Sequence, residues 1–232
     1  MRLARHPSVL IAAAAVLLVA VSMSIAMRPA WSGTALLLLI PAAAYGLLTI
    51  LALVRMRKDG TLSEKLRPRS GDLTFGAIVT AMLFFGALAG RMFLAPHGSV
   101  REAWIRDIYL QVGDPEMLQR HVVGVSLAVC AIAALEEVSW RGLVYSALEE
   151  HLGTRRAFPA TAILYATAHL PTMLLLRDPF AGPNPLVVLA ALGCGLVWGL
   201  VVARTGRLPV AIISHVLFTW VVLLQFPLWR LA

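Results

Sequence analysis

Seven apolar runs alternate with short polar stretches along the chain, at residues 8–27, 34–54, 73–94, 121–148, 157–176, 186–203 and 208–226. A helix needs about 20 predominantly apolar residues to cross ~30 Å of hydrocarbon, and each run is of that order. The pattern therefore predicts an all-α fold, a polytopic transmembrane helical bundle of about seven spans. The first run is read as an uncleaved span, because it exceeds the ~7–15 residues of a signal-peptide core and no Ala-x-Ala cleavage site follows. Two glycine pairs, Gly86/Gly90 and Gly195/Gly199, have the small-xxx-small spacing that lets helices approach closely. Between the third and fourth runs lies the longest polar connection, residues 95–120. Within it, residues 100–112 alternate apolar and charged positions as a helix lying on a membrane surface would.

The charges fall on alternate connections. Residues 55–72, 149–156 and 204–207, together with Arg2 and Arg5, hold nearly all the excess Lys and Arg, while residues 28–33, 95–120 and 177–185 are sparse or balanced. By the positive-inside rule the N-terminus is cytoplasmic. Composition agrees with a membrane protein: 59% of the 232 residues are hydrophobic, 14% are charged, and mean hydropathy is +0.81. The net charge of +8 belongs to the cytoplasmic flanks. No basic stretch is interleaved with aromatics, so nucleic acid is not a partner. Cys130 and Cys194 lie in apolar runs and suit packing, not a metal motif. A natural division is 1–120, three spans plus the polar connection, and 121–232, a helical core that carries the chemistry.

That chemistry centres on Glu136-Glu137-x-x-x-Arg141, set inside the fourth run. Ionisable groups at membrane depth cost roughly 2.5–3.5 kcal/mol each on insertion scales, and they persist where they have partners or line a cavity. Glu137 and Arg141 are spaced i, i+4 and can pair within their own helix. Glu136 points about 100° away and needs a partner on another helix, or water. His169 and His215 also sit in apolar runs. Taken singly, each of these residues serves equally well as a packing or bridging group. At ~1.5 Å rise per residue, Glu136, His169 and His215 all reach the cytoplasmic half of the bilayer. Pro171, two residues after His169, can kink its helix and free backbone groups to line a cavity.

An acid with two imidazoles suits two chemistries. Glu136, His169 and His215 can hold a divalent metal such as zinc in an open site. Alternatively, a metal-free set can activate water and stabilise an oxyanion. Gly-x-Ser-x-Gly and His-Glu-x-x-His are both absent, although Ser139 and Ser214 flank the charged positions. Buried Glu and His also build proton relays, which keeps a proton-coupled transporter open, but no paired half-helices or inverted repeats support one.

Glu136-Glu137-x-x-x-Arg141, then Tyr165-x-x-x-His169, then Leu208-Pro209 followed by His215, resembles the CPBP family of intramembrane proteases. That family takes in the CAAX prenyl endopeptidases of the Rce1 type and bacterial relatives called abortive-infection proteins. The resemblance covers roughly residues 135–219. It implies an intramembrane endopeptidase acting on a membrane-associated protein or peptide, in a bacterial inner membrane. Glu136 and His169 would activate water, Glu137 and Arg141 would support the site, and His215 would help form the oxyanion site. The family pattern usually has Phe where Tyr165 stands and Asn where Thr219 stands. The shorter reach of the Thr219 hydroxyl also keeps open a non-catalytic member, an immunity or scaffold factor. The substrate, the metal and the oligomeric state are not legible in the sequence.

Overall fold

The computed structural model describes residues 7–228; Arg2 and Arg5 lie outside the described residues. Helices α1 (Pro7–Ala26), α2 (Ala35–Lys58), α3 (Leu62–Leu66) and α4 (Asp72–Leu94) are followed by α5 (Glu102–Val112) and α6 (Pro115–Arg120). Helix α7 (Val122–Glu137) runs without a break into a π-helical segment, Val138–Tyr145, and then α8 (Ser146–Leu152). Helices α9 (Thr154–Ala168), α10 (Leu170–Leu175), α11 (Leu186–Thr205) and α12 (Pro209–Trp220) complete the bundle, α12 passing into a second π-helical turn, Val221–Gln225. Among the described residues there is no strand.

Among the described residues six helical runs are long and apolar enough to cross a membrane, and Pro209–Gln225 is a shorter apolar one. The protein is thus a polytopic helical membrane protein, and the seven runs of the sequence correspond to these seven helical runs. Ile78, Phe85 and Leu127 leave more than half of their surface uncovered. Such side chains would be an association liability in water; in a bilayer they face lipid.

Two groups of contacts define the ends of the bundle. At the basic end, Arg55 pairs with Glu150 at 2.6 Å and the Lys65 Nζ donates to Ser146 at 2.6 Å. There Arg207 grips Asp72 through two bonds of 2.8 and 2.9 Å. At the opposite end α5 lies as a strap across its neighbours. The Ser32 hydroxyl donates to the Leu110 carbonyl, the Trp104 indole to Gly182, and the Asn184 amide to the Trp104 carbonyl. Asp178 organises the loop beneath it. The backbone N–H groups of Ala181 and Phe180 bond its carboxylate and, with Arg106, hold its pKa below the usual carboxylate range.

The small-residue pairs divide. A side-chain carbon at Gly195 would meet Tyr165 at 3.2 Å and the Ala162 backbone at 3.3 Å, and Gly199 abuts Phe158. These two glycines let α9 and α11 form the most extensive helix pair in the bundle. Gly86 and Gly90 face open space, which corrects the expectation that they mark a close crossing. On α4 the close approach is at Gly76, where a side-chain carbon would meet Ile213 at 2.6 Å. Packing also crosses the division at residue 120. Helix α2 packs on α7 and the π-helical segment, and α4 packs on α12.

Candidate active site

The first turns of α7 carry exposed apolar side chains such as Val123 and Leu127, but the end of the helix and its π-helical continuation are buried on all sides. From Glu136 to Leu148 every residue is shielded, so this stretch is the core of the bundle and not a lipid-facing span. A π-turn widens the helix and shifts which backbone groups are bonded; such turns recur at functional sites. Here the π segment begins at Val138, directly after the two glutamates.

Glu137 is fully buried, and one of its oxygens, Oε1, accepts from two sides. Arg141 donates to it at 2.9 Å from one turn along, and His215 Nδ1 lies 2.9 Å away on α12. The Arg141 guanidinium continues to the Gly195 carbonyl at 3.3 Å and lies over the Tyr165 and Trp198 rings, 5.0 and 5.5 Å from their centroids. Flat guanidinium faces suit such stacking. The His215 ring is further held by a stacked contact with Trp198, 3.9 Å between centroids. With Nδ1 engaged by Glu137, the other nitrogen, Nε2, points at Glu136 Oε2, 3.5 Å away. Glu136 thus has its partner on another helix.

His169 occupies a break. Helix α9 ends at Ala168, α10 begins at Leu170, and Pro171 stands in the first turn of α10. Its missing N–H is harmless there, and the break places the imidazole between two short helices. The His169 Nδ1 lies 2.8 Å from the Tyr165 carbonyl, and the two rings meet edge to face at 4.7 Å. Tyr165 in turn touches Trp140, centroids 5.3 Å apart. His169 is therefore one aromatic ring removed from the Glu137–Arg141 pair and forms no ion pair with either glutamate among the described residues. Thr219, one turn beyond His215, is half-buried. Its hydroxyl has no hydrogen-bond partner among the described residues.

Ser139 and Ser214 are structural. The Ser139 hydroxyl donates to the Tyr45 carbonyl at 3.1 Å, and the Ser214 hydroxyl accepts from the Trp198 indole at 3.1 Å. Sequence reading missed Trp198, Trp140 and Tyr45. The available signal was a polar-tipped aromatic inside an apolar span, which usually needs a partner for its N–H or O–H. Among the described residues no group of three His, Cys, Asp or Glu side chains is placed to hold a metal ion. Glu136 and His215 are adjacent, but His169 is turned toward Tyr165, so the three do not form a ligand set in this arrangement. Glu136, His169 and His215 do not line the two clefts at the strap end of the bundle, one beside Arg106 and Asp178, the other beside Tyr109 and Leu224.

This is a polytopic membrane protein with an acid–imidazole–guanidinium cluster sealed in its helical core. Residues 118–221 match the family described as type II CAAX prenyl endopeptidase Rce1-like. The match takes in every residue of the cluster carried by α7 to α12, and at the level of that family it supports a CAAX-type intramembrane protease. No curated protein and no solved structure matches the chain.

Proposed function

We propose that the protein is an intramembrane endopeptidase that hydrolyses a peptide bond of a membrane-associated protein or peptide. The observation that supports this most is the contact of His215 with both glutamates, Nε2 to Glu136 at 3.5 Å and Nδ1 to Glu137 at 2.9 Å. One carboxylate is locked and the other is left available. Glu137 is held by Arg141 and by the ring it orients. Among the described residues Glu136 makes no hydrogen bond at closer range, and it has lone pairs to spare, as a general base needs.

In the proposed reaction Glu136 takes a proton from a water while the hydroxide oxygen bonds to the scissile carbonyl carbon. His169, through its free Nε2, helps place that water. The carbonyl oxygen becomes an oxyanion and is stabilised by an N–H of His215, whose orientation Glu137 and Trp198 set. The C–N bond then breaks, and the proton held on Glu136 passes to the leaving amine. The His215–Glu136 contact, 3.5 Å in this structure, is expected to tighten around substrate. Catalytic hydrogen bonds are often long in the free enzyme and tighten on binding. A divalent metal, if bound by Glu136 and His215, would supply Lewis-acid polarisation of the same carbonyl; the steps above use only the chain's own groups.

The test uses full-length protein in vesicles with a fluorogenic farnesylated peptide ending in a CAAX sequence, beside an unprenylated transmembrane peptide. Glu136→Gln is expected to lower kcat by at least ~10³-fold, in the range of lost acid–base and electrostatic terms, with an unchanged melting temperature. Full cleavage by Glu136→Gln would overturn the reading. A second reading, a non-catalytic membrane protein of the same fold, is favoured by the turning of His169 toward Tyr165. It predicts that neither peptide is cleaved by the wild type and that partner binding survives Glu136→Gln.

A further inference from the structure

Tyr45 lies on α2, outside the matched residues 118–221, yet it is fully buried against the site. Two contacts fix its backbone there. The Ser139 hydroxyl donates to the Tyr45 carbonyl at 3.1 Å. One turn along, the Thr49 hydroxyl donates to the Leu135 carbonyl at 3.1 Å and meets Ser139 at 3.3 Å. Helix α2 is thus clipped to residues 135–139, the stretch that contains Glu136.

The Tyr45 hydroxyl is sealed from solvent and has no hydrogen-bond partner at bonding geometry, and the same is true of the Trp140 indole N–H. A buried phenol left unpaired carries the desolvation penalty of its O–H, so two such donors in one place call for an acceptor. Glu136 lies three residues before Ser139 and so shares the face of its helix that meets α2, whereas Glu137 is turned to Arg141 and His215. On that face Glu136 is the carboxylate with lone pairs to spare, its contact with His215 Nε2 engaging one oxygen. A carboxylate accepts up to about four hydrogen bonds.

We infer that Tyr45 is a positioning residue for Glu136: its hydroxyl donates to the carboxylate on the side away from His215, and the Trp140 N–H supports the phenol oxygen. The carboxylate is then held between a phenol from the N-terminal half and an imidazole from α12, with its free lone pairs aimed at water. The N-terminal helices are part of the site and not only its scaffold. This inference rests on the protease reading for its catalytic meaning, but the contact itself can be tested without any cleavage.

The experiment uses the full chain, labelled with ¹³C at the tyrosine ring carbon that bears the hydroxyl. The sequence has four tyrosines, and the Tyr45 resonance is assigned by its loss in Tyr45→Phe. It is expected to move in Glu136→Gln and to stay in place in Glu150→Gln. An unmoved Tyr45 resonance in Glu136→Gln overturns the inference, whether or not the protein is a protease. In parallel, Tyr45→Phe keeps the ring and its packing. Its kcat on the farnesylated peptide is expected to fall ~10–100-fold, as for lost supporting contacts elsewhere, with KM within twofold and an unchanged melting temperature. An unchanged kcat, or a loss confined to KM, also overturns it. If the wild type cleaves neither peptide, the protease reading fails and the resonance alone decides the Tyr45 contact.

Discussion

Glu137 and Arg141 show how a membrane bundle accommodates charge. Arg141 is almost fully buried and Glu137 entirely so, and the two pair at 2.9 Å within one helical turn. The pair is then tied to three other helices, through His215, the Gly195 carbonyl and the Trp198 and Tyr165 rings. Removing one member leaves the other charge buried and unpaired, which typically costs ~3–5 kcal/mol. Arg141→Ala is therefore expected to lower the thermal midpoint sharply, followed by fluorescence-detected size-exclusion chromatography after heating. Arg141→Lys is expected to recover only part of the loss. An ammonium can still meet Glu137 but cannot also span to Gly195 and lie flat on two rings. If Arg141→Lys matches the wild type, the Gly195 bond and the ring contacts are not what stabilise the core.

At the scale of elements, three local departures from a regular helix build the site. The π-helical segment follows the glutamates, a break centred on His169 divides α9 from α10, and two glycines bring α11 onto α9. The last of these carries a clean contrast. At Gly195 an added methyl group would press on Ala162 backbone and the Tyr165 ring, at 3.3 and 3.2 Å. Tyr165 cannot retreat without disturbing His169 and Arg141. Gly195→Ala is expected to destabilise by ~1–3 kcal/mol, the usual range for overpacking. Gly86→Ala meets nothing and replaces a flexible helical glycine, a change worth up to about 1 kcal/mol in favour of the helix. Comparable melting shifts for the two variants would show that α9 and α11 are not in the close contact described.

At the scale of the whole molecule, the sorted ends give the protein a direction. Arg55, Lys65, Arg207 and their partners link three connections at one end, and the α5 strap covers the other. The positive-inside rule predicts that the first of these ends is cytoplasmic. After replacement of Cys130 and Cys194, Phe180→Cys, whose parent side chain is 90% exposed at the strap end, is expected to react with a membrane-impermeant maleimide on intact cells. Lys58→Cys is expected to react only after the membrane is opened. The reverse pattern would invert the topology and place the sealed glutamates nearer the outer face.

Apolar run lengths determined the class of fold, because a bilayer admits helices of one length and little else. Helix periodicity likewise made the Glu137–Arg141 pair legible, since residues four apart share a face. The order of the Glu-Glu-x-x-x-Arg, Tyr-x-x-x-His and Leu-Pro…His motifs carried the family resemblance. Which helix supplied the partner for Glu136, which glycines marked real crossings, and that Trp198, Trp140 and Tyr45 enclose the site were decided only by tertiary structure. Side-chain spacing along a chain specifies a face, but the rotation of one helix against another depends on packing summed over every neighbour. His169 shows both sides of this: Pro171 announced a break near it, but that its ring packs edge to face on Tyr165, between α9 and α10, was decided by how the neighbouring helices turn.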